Sequence, residues 1–261
     1  MSEFQQKCSI LARDRLAADV FRLTLQAPGI AAGATPGQFV MVRVTDGLDP
    51  LLRRPFSIHR SLASGNISLL FKVIGKGTEM LARRCIGDQL DVVGPLGNGF
   101  ALPDDRPVCL IGGGMGIAPL LFLAEHLHAN GRETKKDHVL LGARTQDELS
   151  PLADEFSALG YTVQLATDDG SIGHKGFIPD LLDFLLPTVE QVYTCGPHLM
   201  MKNVVRQCQQ AEVNCQVSLE THMACGMGAC LGCAVDGKKG LVHVCKHGPV
   251  FKADQLEWSL A

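Results

Sequence analysis

Four cysteines near the carboxyl end carry the most specific chemistry in this sequence. Cys225, Cys230, Cys233 and Cys245 are separated by four, two and eleven residues. The first three follow the spacing C-x4-C-x2-C, and with a distant fourth this pattern suits thiolates holding a two-iron, two-sulfide cluster. Gly226, Gly228, Ala229 and Gly232 are small, so the loop can wrap closely and turn backbone N–H groups toward anionic sulfur. Four thiolates also suffice for a structural zinc. Zinc sites usually draw on two close pairs, however, and only Cys230-x2-Cys233 is one. The nearby His222, His243 and His247 form no Rieske-like arrangement with the cysteines and read as solvent-facing or hydrogen-bonded.

The other cysteines divide differently. Cys8, Cys85, Cys109, Cys208 and Cys215 read as small buried hydrophobes. Cys195, in Thr194-Cys195-Gly196-Pro197, stands at a strand end. There it is either a catalytic side chain touching a nicotinamide or a buried structural thiol. No general acid–base triad or HExxH pattern accompanies it, which fits redox chemistry carried by cofactors that the protein positions and tunes.

Two further regions suit nucleotides. Gly112-Gly113-Gly114-Met115-Gly116-Ile117-Ala118-Pro119 lies between an apolar strand and a helix. Glycines there let the backbone approach a pyrophosphate, and the helix start supplies N–H donors and positive dipole. Pro119 replaces the third glycine of the usual fingerprint, and a plain tight turn has the same composition. Thr167-Asp168-Asp169-Gly170-Ser171 and Cys195-Gly196-Pro197 end later strands of the same sheet, at the edge where such folds bind ligands. Asp168 and Asp169 stand too far along the chain for the usual ribose acid. Arg144 would suit a 2′-phosphate or be a plain surface residue, so the residues leave NAD and NADP both open.

Closer to the amino end, Arg53-Arg54-Pro55-Phe56-Ser57 gathers basic, aromatic and hydroxyl groups. Arg54 and Ser57 can clamp a phosphate while a neighbouring strand flanks a flat ring, although an ordinary strand with a surface arginine looks the same. Gly75-Lys76-Gly77-Thr78 leads into an expected helix, Glu79 to Arg84, capped by Thr78. Gly77 and Thr78 then form a second phosphate seat.

These motifs need elements to position them. Residues 1–100 read as short strands broken by turns. Phe21, Leu23 and Leu25 face a core, and further strands run over Phe39–Val44, Ile67–Val73 and Gln89–Val93. That pattern suggests a small antiparallel β-barrel. Residues 101–214, after a linker at Leu96–Arg106, alternate apolar strands with helices. The strands are Val108–Ile111, His138–Leu141, Tyr161–Ala166 and Gln191–Thr194. The helices are Pro119–Asn130, one started by Ser150-Pro151 and ending at Gly160, one near Pro179–Leu185, and Leu199–Cys208. This is the signature of a parallel, doubly wound sheet. Residues 215–261 are too short to bury a core of their own, and bound metal is the expected support.

Composition narrows the class. The chain has 261 residues, 46% hydrophobic and 20% charged, with a net charge of −3. The charge balance argues against a surface for nucleic acid. Four glycines and a proline interrupt the uncharged stretch Val108–Ala124, which argues against a membrane span. Met1–Lys7 lacks the basic start and apolar core of a secretory leader. Ten cysteines without such a leader point to reduced thiols or metal ligands, and a cytoplasmic protein is expected.

In order, Arg54-Pro-Phe-Ser57, Gly77-Thr78, the Gly112–Pro119 turn and Cys195-Gly-Pro197 resemble the ferredoxin–NAD(P) reductase superfamily. Glu220-Thr-His-Met-Ala-Cys-Gly-Met-Gly-Ala-Cys-Leu-Gly-Cys233 and Val244-Cys-Lys-His-Gly-Pro-Val-Phe251 narrow the resemblance. They look like the iron–sulfur electron-transfer subunits of NAD-linked dihydroorotate dehydrogenases, over essentially the whole chain. The resemblance implies FAD on the barrel, NAD on the sheet domain and a 2Fe-2S cluster on the tail. It also implies a separate FMN-containing catalytic subunit as partner, in a heterotetramer of two plus two that serves pyrimidine biosynthesis. By motif match, Arg54, Pro55, Phe56 and Ser57 contact the flavin, Leu70, Phe71 and Lys72 flank it, and Gly77 and Thr78 hold its pyrophosphate. Gly112, Gly113, Gly114, Gly116, Pro119, Asp169, Cys195, Gly196 and Pro197 fall to NAD. Phe56 stands where many members have tyrosine, so no hydroxyl is offered there. A flavin/iron–sulfur NAD(P)H reductase subunit of a hydrogenase-, sulfide- or ferredoxin-coupled complex shares most of these motifs, and a non-enzymatic alternative is a zinc-stabilised or cluster-bearing redox sensor that binds nucleotide without turning it over.

Overall fold

The computed structural model describes residues 4–258. Met1–Glu3, the head of the stretch read as lacking a leader, lie outside the described residues. The first six strands are β1 (Phe4–Arg15), β2 (Val20–Gln26), β3 (Phe39–Arg43), β4 (Arg54–Leu62), β5 (Asn66–Lys72) and β6 (Gln89–Leu96). They close into an antiparallel barrel in the order β1-β2-β5-β4-β3-β6. Short helices α1 (Pro28–Gly33) and α2 (Lys76–Ala82) fill two of the connections. Alternation drives the closure: Leu23 and Leu25 are fully buried, and Ile58, Ile67 and Leu69 meet them in one core. Each such side chain contributes about 1.5–3 kcal/mol by leaving water.

Sequence patterning overlooked β1, because a register irregularity between Ile10 and Ala12 breaks its alternation. Val20 is buried as well as Leu23, since it packs into the core shared with the following domain. Helix α2 begins at Lys76 after Gly75, so Thr78 stands at its third position and caps it from there, its hydroxyl accepting from the Gly75 N–H at 3.3 Å. Cys85, expected to be buried, is exposed on the turn after α2. Its backbone N–H is tied to the Asp88 carboxylate, a local hydrogen bond that turns the chain outward.

The second layer is a seven-stranded sheet. Its strands are β7 (Val108–Gly113), β8 (His138–Ala143), β9 (Thr162–Thr167), β10 (His174–Lys175), β11 (Gln191–Cys195) and β12 (Asn214–Ser218), with a final strand from the tail. Helices α3 (Ala118–Ala129), α4 (Gln146–Ala158), α5 (Pro179–Leu182) and α6 (His198–Gln210) connect them. Alternate residues of one strand serve opposite faces. Val108 and Leu110 pack with α3 and α4, whereas Cys109 and Ile111 pack with α5 and α6. Helix α4 starts before Ser150-Pro151: Thr145 is extended at its head, Asp147 and Glu148 occupy its first turn, and Pro151 lies inside. Acidic residues in the first turn suit the helix dipole and outweigh the proline signal. Helix α5 stops at Leu182, short of Leu185.

The tail forms the hairpin β13 (Ala234–Gly237) and β14 (Gly240–His243), the turn α7 (Val244–His247) and β15 (Val250–Lys252). Strand β15 pairs antiparallel with β12, giving the order β10-β9-β8-β7-β11-β12-β15. The expected boundary between residues 214 and 215 lies within β12. The tail's apolar residues share a core with the barrel and α6: Val244, Phe251 and Leu256 pack in one cluster with Phe39, Met41, Leu96 and Met201. Borrowed burial therefore accompanies any metal in holding the tail.

Candidate functional site

A cleft of about 320 Å³ lies where the three regions meet. Strand β4 supplies Arg54, Pro55, Phe56 and Ser57 to one wall, and β5 supplies Leu70, Phe71 and Lys72. Ile74 and Thr78 close one end. Phe56 tilts against Phe71, with centroids 5.7 Å apart, and Phe71 stacks on Phe21 at 6.0 Å, so the wall is a braced apolar surface suited to a flat ring system. The Arg54 guanidinium donates to the Leu52 carbonyl at 2.7 Å. A Cβ on Gly77 would come within 3.2 Å of Arg54 Nε, so glycine lets the arginine lie against α2. The Thr78 hydroxyl accepts from Ile74 N–H at 3.0 Å and donates to the Gly75 carbonyl at 3.0 Å, which shapes this turn. Lys72 is held by Glu148 at 3.0 Å and Asp19 at 3.4 Å. Desolvation works against its charge, but the two carboxylates outweigh it and raise its pKa.

The opposite wall was not foreseen. It consists of Met115 and Ala118 from the glycine turn, and of Ser218, Leu219, Glu220, Thr221, Met223 and Pro249 from the end of β12 and the tail. The signal available was position alone: Glu220 and Thr221 open the segment that runs into Cys225. Glu220 opens on the cleft with protein on its flanks, and desolvation raises its pKa.

The glycines at the end of β7 and in the turn that follows it divide by use. A Cβ on Gly116 would sit 2.2 Å from the Cys195 carbonyl oxygen, and one on Gly113 2.5 Å from Met200 Sδ. Gly112 is likewise closed in, by Ile117 and Leu120. Gly113 and Gly116 let the turn nest against Cys195-Gly196-Pro197 and Met200, and Gly112 lets the start of α3 fold back on β7. Only Gly114, with φ +54°, opens on free space, where a phosphate can approach the backbone. Pro119 lies in the first turn of α3. Asp169 is exposed at the head of α4: its carboxylate accepts from Ser171 N–H and Oγ–H, and Ser171 Oγ accepts from Gln146 N–H at 2.8 Å. The Ser171 bonds hold its pKa below the usual carboxylate range. Arg144 is exposed nearby. Cys195 is fully buried. Burial foremost, with the charge of Glu220 adding, drives its pKa well up, so it stands as a neutral thiol.

The cysteine loop supplies donors to sulfur. Met227 and Cys230 N–H point at Cys225 Sγ, at 3.5 and 3.4 Å. Gly228 N–H reaches Cys245 Sγ at 3.1 Å, and Cys245 N–H reaches Cys233 Sγ at 3.4 Å. Desolvation opposes the Cys225 thiolate, but the N–H donors outweigh it and lower its pKa to about 6. Cys245 is pushed up to about 12 by burial and by the Cys233 thiol 3.2 Å away. Gly226 has φ +76°, and a Cβ there would lie 2.5 Å from Met41 Cγ, so glycine seats the loop on the barrel. Among the described residues no group of three His, Cys, Asp or Glu side chains is set around one point. The thiols instead form two pairs, Cys225 with Cys230 and Cys233 with Cys245. Two thiolate pairs ringed by N–H donors match what a two-iron cluster needs. His222 and His247 are exposed, and His247 Nδ1 accepts from His243 N–H at 2.9 Å.

Barrel cleft, glycine turn at the carboxyl edge of a parallel sheet and paired cysteines together define a class: the flavin- and nicotinamide-binding oxidoreductases that carry an iron–sulfur segment. Family models match accordingly. An oxidoreductase FAD-binding domain matches residues 7–100, an oxidoreductase NAD-binding domain matches 110–206, and the iron-sulfur cluster binding domain of dihydroorotate dehydrogenase B matches 220–257. The chain belongs to the family of dihydroorotate dehydrogenase B (NAD(+)) electron transfer subunits. Its relative from Desulforamulus reducens is 43% identical over 258 residues, spanning 95% of this chain and 97% of that protein. The one from Caldanaerobacter subterraneus subsp. tengcongensis is 37% identical over 257 residues, spanning 97% and 98%. A solved structure of an NADH-dependent reduced ferredoxin-NADP oxidoreductase superposes with a TM-score of 0.86 at 32% identity, covering 96% of this chain and 90% of that one.

Proposed function

We propose that this chain couples dihydroorotate oxidation on a separate FMN-containing subunit to NAD⁺ reduction, within a cytoplasmic heterotetramer of two plus two subunits in pyrimidine biosynthesis. One observation carries the reading: residues 218–221 and Met223 form a wall of the flavin-type cleft and run directly into the cysteine loop at Cys225. Two redox sites are thus built on one continuous segment. The exposed face of the loop, with Cys230 beside Met227 and Leu231, suits a protein partner whose electrons enter there. Ten free thiols suit a reducing compartment.

Arg54 and Ser57 would hold FAD together with Gly77 and Thr78, while Pro55, Phe56, Leu70, Phe71 and Lys72 wall its ring. The four cysteines would hold the 2Fe-2S cluster. Gly112, Gly113, Gly116, Gly196 and Pro197 shape the NAD seat, Gly114 opens it, and Pro119 starts its helix. Cys195 packs beneath that seat as a neutral thiol, and Asp169, although not in the usual ribose-acid position, places an exposed carboxylate at the same sheet edge that would oppose a 2′-phosphate and so favour NAD. When bound, flavin exchanges hydride with nicotinamide and the cluster carries single electrons; the protein positions and tunes both. The relatives' shared name favours this reading over a hydrogenase-, sulfide- or ferredoxin-coupled reductase.

The test is oxygen-free purification with flavin, iron and sulfide analysis, followed by assay with and without the FMN subunit. Dihydroorotate-dependent NAD⁺ reduction is expected only in the complex, and NADH-to-dye reduction in the chain alone. A colourless chain without flavin bands, or one without an EPR signal after dithionite, overturns the reading.

A further inference from the structure

Strand β4 carries a bulge just past the flavin-type wall. Its register against β5 shifts between Ile58 and Arg60, so consecutive residues Ile58 and His59 are both fully buried. Ile58 enters the barrel core. His59 is aimed the other way, into the interface with the sheet domain, as bulges commonly re-aim a side chain. Its Nδ1 lies 2.9 Å from the Ala118 carbonyl oxygen. A carbonyl only accepts, so Nδ1 carries the hydrogen and Nε2 the lone pair. Nε2 has no hydrogen-bond partner. A buried imidazole costs more than an apolar side chain of similar size; its Nε2 faces the Glu155 carboxylate only at 3.9 Å, and its hydrogen bond among the described residues is the one to Ala118.

The bond ties a residue just behind one wall of the cleft to a residue that lines the other. Ser57, two residues before His59, lines one wall, and Ala118 lines the other. Ala118 also begins α3, directly after the turn Gly114–Ile117. Ion pairs surround the bond and hold barrel and sheet domain together. Arg60 meets Glu125 of α3 at 2.9 Å and Glu155 of α4 at 3.4 Å, and Arg22 also pairs with Glu155. Burial foremost, then the charges of Arg60 and Arg22, keep the ring neutral despite the bond that favours its proton.

We propose that His59 is a positioning residue for hydride transfer: its Nδ1–H, donated to Ala118, sets the register of the nucleotide turn against the flavin wall. The inference rests on the reading that the cleft binds flavin and the turn binds nicotinamide. Transfer between two bound rings is steep in geometry, and about 1 Å of misplacement can cost about a hundredfold.

The substitutions that test it are His59→Asn, whose amide N–H falls near the Nδ1 position, and His59→Gln, whose amide reaches instead toward Nε2 and Glu155. Two readouts are taken on the full chain. One is stopped-flow reduction of bound FAD by saturating NADH, and the other is amide hydrogen exchange over residues 112–121 without nucleotide. In His59→Gln, flavin reduction is expected to slow about tenfold and exchange over the turn to rise, with FAD and iron content unchanged. His59→Asn should match the parent in both. Equal behaviour of the two variants, or unchanged exchange in His59→Gln, overturns the proposal. Should His59→Gln not fold, His59→Asn decides: parental rate and exchange support the bond, and slowed reduction overturns it. A parent whose flavin NADH cannot reduce would instead break the functional reading, and the exchange comparison, which needs no cofactor, would still decide the bond.

Discussion

The barrel wall of the cleft and the cysteine loop that follows its opposite wall along the chain are built by different means. Phe56, Leu70 and Phe71 are 8%, 3% and 3% exposed on strands of a closed barrel, so the wall is set by its own core before any ligand arrives. The cysteine loop has little burial of its own. Cys233 and Cys245 are buried while Cys230 is exposed, and the loop leans on neighbours: Gly226 on Met41, and the Lys246 and His247 carbonyls on Asn98 Nδ2–H. Such a loop can be aimed by its surroundings and completed by metal–thiolate bonds. Damage to the two regions should therefore separate.

The largest effect is expected from Cys230→Ser. It removes an exposed thiol that the proposed function assigns to the cluster, so visible cluster absorption and dihydroorotate-to-NAD⁺ transfer should fall to background while FAD content and NADH-to-dye reduction persist. Loss of FAD along with iron would show that the wall depends on the loop after all. Arg54→Ala is the reciprocal cut. Losing a charge-assisted contact worth about 1.5–3 kcal/mol should weaken FAD retention about 10- to 100-fold on dilution, with iron content unchanged; full flavin occupancy would count against Arg54.

A third expectation sharpens the barrel side through its interface. Burial depresses the folded pKa of His59 to about 3 from an ordinary 6.5. Between those values the unfolded chain takes up a proton that the folded chain refuses, so stability drops as pH falls, by up to about 1.4 kcal/mol per pH unit. Above 6.5 this contribution is level. Melting temperatures between pH 7 and pH 5, roughly the upper part of that window, should fall less in His59→Asn than in the parent. The smallest effect is expected from Asp169→Ala, an exposed carboxylate outside both regions. It should improve NADPH use relative to NADH about threefold, as read by kcat/KM for the two nucleotides, and leave FAD and iron untouched.

Much of this was legible in the residues themselves. The intervals among Cys225, Cys230, Cys233 and Cys245 specify a multi-thiolate site because ligand spacing is a property of the chain. Strand–helix alternation around Val108, His138 and Gln191 specifies a parallel sheet because periodicity is local. Arg54-Pro55-Phe56-Ser57 and Leu70-Phe71-Lys72 share a wall because β4 and β5 pair as neighbours. Long-range pairing decided the rest. Residues 218–221 and Met223 close the cleft only because β12 joins β11. Gly113 and Gly116 serve packing because Met200 and Cys195 arrive from α6 and β11. His59 turns inward only because β4 slips its register against β5. Spacing and period are written along the chain, whereas which surface an element meets depends on the burial and hydrogen bonding of partners distant in sequence, and that exists only once the chain has folded.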